Sequence, residues 1–147
     1  MSKIIKKVTG VVLMIALLVT TAGTSAEAAK RVKWPYGTYK CTTKSYGDVR
    51  LDWQYGDGEN GYDNFVCWYY KGMRKDTEIM YAMKEVAKNT YRTKPERVSG
   101  KKLYFQIKVT KNSLVFKEIH GNKAIYWDGT YPKLNFKIQK RLPKNVG

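Results

Sequence analysis

Acids are few beside the bases in this chain, and histidine and cysteine are nearly absent. Only 12 Asp+Glu stand against 28 Lys+Arg in 147 residues, a formal net charge of +16, with one histidine and two cysteines. Two cysteines and one distant histidine do not make a zinc set, and no metal or cofactor is expected. Nor is there a second long apolar run. None after the first approaches the ~20 residues of a membrane helix, so no membrane span is expected once that first run is removed. The length leaves room for one domain, which excludes a multidomain enzyme or a domain built for a dinucleotide. A hydrophobic content of 43% and an aromatic content of 14% exclude a disordered basic tail.

What is present begins with an export signal. Lys3, Lys6 and Lys7 form a positive n-region, and Val11 to Val19 has the length of a signal h-region. Small and polar residues follow, and Ala26-Glu27-Ala28 fits the small-x-small pattern of signal-peptidase sites. Residues 1–28 are therefore expected to be a signal peptide, and 29–147 a single secreted β-rich domain. No cysteine closes the h-region for lipid attachment, and Leu142 to Gly147 lacks the apolar tail of a wall-sorting signal. Release in soluble form is the expectation. In that oxidising setting Cys41 and Cys67 are expected to pair. Their loop of about 25 residues would give on the order of 3 kcal/mol of stability.

The rest of the chain alternates with the period of strands. Tyr39, Cys41 and Thr43 oppose Thr38, Lys40 and Thr42. Val49, Leu51, Trp53 and Tyr55 oppose Asp48, Arg50, Asp52 and Gln54. A third strand, 64–71, is apolar on both faces; Cys67 is expected to face the core with Phe65 and Tyr69, leaving Trp68 and Tyr70 outward. Residues 76–89 change period: Ile79, Met83 and Val86 recur at helical spacing behind Asp76 as a cap, with Lys84 and Lys88 in the later turns. They predict the one helix, and 91–101 reads as a basic linker. Strands are then expected at 103–109, 113–120, 123–128 and 134–139, with Gly121-Asn122 a two-residue hairpin loop. The expected fold is mainly β: about seven antiparallel strands in a curved sheet or small barrel, with one helix inserted after the third strand.

Four constellations could carry chemistry. From Lys84 to Gly147 there are 16 Lys+Arg against four acids, and Lys108, Lys117 and Lys137 fall on the solvent side of their strands. One-sided charge concentrates anionic partners: an anionic envelope polymer, a lipid headgroup, an acidic protein or nucleic acid. A solubilising face is the plain competing reading. Aromatic density is the second; Trp68, Tyr70, Tyr126 and Trp127 are the candidate contact residues. The third is Glu118 with His120, two apart on one face, an acid–base pair of the kind a ribonuclease-like hydrolase uses. The fourth is the loop 56–64, where Asp57, Glu59 and Asp63 are spaced as in a partial calcium loop; it could equally be an intramolecular partner for the basic half. The reading that gathers most of this is a small secreted, cationic, disulfide-stapled binding protein without catalytic activity, acting on an anionic partner at or outside the cell envelope. The alternatives are the hydrolase using Glu118 and His120, or a toxin or inhibitor of a secreted enzyme.

Overall fold

The computed structural model describes residues 30–73 and 80–144. The expected signal peptide and the start of the expected helix, residues 76–79, lie outside the described residues. The architecture belongs to the unit Val32–Gly147. It has ten strands: β1 Gly37–Thr43, β2 Gly47–Tyr55, β3 Asn64–Tyr70, β4 Met80–Ala87, β5 Thr90–Thr93, β6 Glu96–Val98, β7 Lys101–Val109, β8 Ser113–His120, β9 Lys123–Ala124 and β10 Leu134–Arg141. Eight of them close a ring in the order β1-β2-β3-β4-β5-β7-β8-β10, with β10 returning to pair with β1. Every pairing is antiparallel, and each strand of the ring pairs with both neighbours, so this is a closed up-and-down barrel.

Alternation explains which residues fill it. Tyr39, Val49, Leu51, Trp53, Ile107, Leu114, Phe116 and Phe136 are all buried, at every second position of their strands. Eight strands enclose an interior that side chains can just fill.

One end is plugged by the segment before β1. Tyr39 donates to the Pro35 carbonyl and accepts from Arg141 Nη1 at 2.6 Å. The same guanidinium donates to Pro35 O at 2.8 Å and to Lys111 O. Asn89, in the β4–β5 turn at φ 59°, receives Val32 N–H on its Oδ1 at 2.8 Å and Val109 N–H on its carbonyl at 2.9 Å.

Several expectations are corrected. Residues 80–87 of the expected helix form β4, with Met83 fully buried inside the barrel and Met80 and Val86 exposed. The register slips between Glu85 and Ala87, so Val86 is a bulge. An inserted residue breaks the period of two, and the resulting spacing mimics a helix. The expected linker contains β5 and β6. The expected strand at 123–128 is ordered as a strand only over Lys123–Ala124. The expected disulfide is absent: neither Cys41 nor Cys67 is in one. Cys41 of β1 stands opposite Val49, on the inward face, whereas Cys67 of β3, two strands away, stands opposite Asp52, on the outward face. The sheet separates the two thiols. For the same reason Trp68 and Tyr70 point inward with Val66, reversing the expected facing of β3.

Candidate functional site: an aromatic mouth and a basic outer wall

The end of the barrel opposite the plug is built of rings. Tyr81 of β4 lies 4.3 Å from Phe105 of β7, and Phe105 lies 5.6 Å from Phe116 of β8. Trp127 covers them from the β9–β10 connection, 5.1 Å from Trp68 and 6.0 Å from Phe116. A tight turn aims that indole. Asp128 and Gly129 both take positive φ, at 53° and 63°, and Trp127 exchanges backbone bonds with Tyr131 at 2.7 and 2.8 Å. Asp128 Oδ2 also accepts Ser45 N–H at 3.1 Å, which ties this loop to the β1–β2 turn. Tyr70 sits at the rim, 4.5 Å from Tyr46. Tyr126, next to Trp127, is 61% exposed.

Polar groups in this apolar setting are sparsely matched. Glu118 shares the inward face of Leu114 and Phe116 and stands opposite Phe105. Burial pushes its carboxyl above the ordinary glutamate range, and His120 pulls it part of the way back. Among the described residues no side chain hydrogen-bonds its carboxylate. His120 follows on the same face, its Nε2 held 2.8 Å from the Val98 carbonyl of β6. The indole N–H groups of Trp53, Trp68 and Trp127 are buried without a hydrogen-bond partner among the described residues. That of Trp68 comes near enough to the Tyr81 hydroxyl to draw its pKa down against the larger effect of burial, without reaching hydrogen-bond geometry.

The outer wall is basic, and register arranges the charges. Lys84, Arg92, Gln106 and Lys117 face one another in direct register across β4, β5, β7 and β8. Lys137, Lys40 and Arg50 form a second row across β10, β1 and β2. The second row is partly neutralised: Lys40 pairs with Asp48 at 2.6 Å and Arg50 with Asp52 at 3.2 Å. The Asp48 carboxyl is held below its usual range by hydrogen bonds from Lys40 and Thr42. The first row has no acid. Lys84 donates to the Asn60 carbonyl at 3.0 Å, and Arg92 to Gln106 Oε1 at 2.8 Å. Lys108 and Lys137 are exposed, Lys117 is half-buried, and none of the three has an ion-pair partner among the described residues.

The loop 56–64 carries a one-turn 3-10 helix, Glu59–Gly61, and Lys84 reaches into it. Among the described residues no three His, Cys, Asp or Glu side chains are grouped to hold a metal ion.

The structure thus brings Trp68, Tyr70, Trp127, Glu118 and His120 together at the mouth and spreads Lys108, Lys117 and Lys137 over the wall. Tyr81 was hidden in the sequence by the helical reading of its segment. Arg92 was hidden by the linker reading. No protein-family model, curated protein or solved structure matches the chain.

Proposed function

We propose that this chain is a cationic binding protein whose outer barrel wall captures an anionic partner at or outside the cell envelope, without catalysing its turnover. The observation that carries the reading is the placement of like charges directly across strands in a row that holds no acid, Lys84 against Arg92. Such pairs cost stability, and a face serving solubility alone mixes both signs. An anion lying along the row would relieve the repulsion. Export, as read from residues 1–28, would deliver the protein to where anionic polymers and headgroups are found.

The hydrolase reading uses Glu118 and His120, which share a face at the mouth. Among the described residues neither has a hydrogen bond or ion pair to a lysine or arginine, the groups that would hold a phosphoryl transition state. Titration with polyphosphate tests the binding reading. Changing Lys108, Lys117 and Lys137 together to Gln should weaken binding without altering the fold. Unchanged affinity would remove the wall from the account. RNA turnover by the wild type that Glu118→Gln abolishes would favour the hydrolase instead.

A further inference from the structure

The barrel wall is split beside the mouth. The last β4–β5 pair is Met83 with Thr93; beyond it, Met80 and Tyr81 pair only with Cys67 and Val66 on their other side. The cause lies in the opposite strand. From Arg92 to Glu96 the chain advances four residues while its partner β7 advances three, from Gln106 to Leu103. The extra residue falls at Lys94-Pro95, and proline has no N–H to give a ladder. The β5–β6 ribbon therefore peels away from β4. The slit has a cavity volume of about 490 Å³; Tyr81, Thr93, Leu103 and Phe105 line it, and Lys94 and Glu96 put one charge of each sign at its border. That volume lies within the ~300–1,000 Å³ range of small-molecule sites.

Directly behind the slit, Phe105 stands opposite Glu118; burial raises the pKa of the Tyr81 hydroxyl there, and the Glu118 carboxylate adds a smaller push in the same direction. A carboxylate thus shares the inward face of the barrel with Phe105 and Phe116 in a strongly cationic chain, with no lysine or arginine bonded to it among the described residues. Aromatic faces attract cations, most strongly when both are desolvated. We propose that the slit admits a small organic ammonium ion, seated on Tyr81 and Phe105 with its charged nitrogen toward Glu118. Carboxylate and rings favour the same ligand charge, and Tyr81 and Phe105, which line the slit, point to the same inward side as Glu118. The ligand is a cation held on the inward face, so its binding does not depend on anion capture by the outer wall.

The test compares three probes of like size on the wild type: benzyltrimethylammonium, benzyl alcohol and benzoate. Binding is read by the fluorescence change of Trp68 and Trp127 and by saturation in NMR titrations. The expected result is saturable binding of the ammonium probe, tighter than benzyl alcohol by about tenfold or more. Glu118→Gln, which keeps size and shape, should erase that preference while near-ultraviolet circular dichroism stays native. The proposal is overturned by benzyl alcohol or benzoate binding as tightly, by a preference that survives Glu118→Gln, or by no saturable binding of the ammonium probe.

Discussion

Cys41 shows at the scale of one residue how facing decides chemistry. Its thiol lies on the inner face of β1, and burial, with Asp48 adding to it, pushes its pKa up to about 12. Reactivity follows the thiolate, so Cys41 is expected to react slowly with maleimide at neutral pH in the folded protein and quickly in denaturant. Mass spectrometry of the labelled protein would check this; rapid native labelling at Cys41 would contradict its placement. Glu118 makes a pH prediction whose sign follows from linkage. Its folded pKa is raised, so its contribution to stability is fully present below the ordinary glutamate range and is lost as pH rises through the elevated folded value. Glu118→Gln should therefore raise Tm near pH 7, and the gain should shrink as pH falls through the elevated folded value and be gone below ~4.3. Thermal unfolding across that range measures it; a loss of Tm at pH 7 would mean the carboxylate is better matched than its surroundings indicate.

Among the elements, the β4–β5 turn is the junction on which the plugged end depends. Asn89 holds φ 59° and takes two backbone N–H groups, one from Val32 and one from Val109. Asn89→Ala leaves the Val32 donor unmatched and forces alanine into the left-handed region, at an expected cost of about 2–4 kcal/mol. Asn89→Gly keeps the backbone free and should lose less; denaturant titration of both variants checks the order. The same stretch marks the limit of what the sequence reveals. Strands β1, β2, β7 and β10 were legible with their inner faces because they alternate, one face apolar; β8 was legible as a strand, but Val115 and Ile119 on one face and Glu118 and His120 on the other blur its pattern. In β3 both faces are apolar, so Phe65, Cys67 and Tyr69 could not be told from Val66, Trp68 and Tyr70, and the thiol pairing fell with that choice. In β4 the bulge at Val86 set Met83 and Val86 three apart, as on a helix. Of the candidate site, Trp68, Trp127, Glu118 and His120 were legible as residues, whereas their meeting at one mouth depends on pairings distant in sequence.

Across the whole molecule, closure is what turns a sequence rich in lysine into an arranged surface. The β1–β10 pairing joins residues about a hundred positions apart and sets Lys137 beside Lys40, which no local pattern could foretell. With residues 1–28 removed the chain keeps 25 Lys+Arg against 11 acids, a net +14. A polyanion bound to such a wall releases counterions, so affinity should fall linearly with the logarithm of salt, each phosphate contact contributing a slope of about 0.7–0.9. The measurement that tests the central claim most directly is polyphosphate affinity across a salt series, for the wild type and for the variant with Lys108, Lys117 and Lys137 changed to Gln. The expected result is a steep salt dependence that becomes shallower by about two in slope when the three lysines are lost. Equal slopes for the two proteins, or affinity indifferent to salt, would contradict capture of an anion by the outer wall.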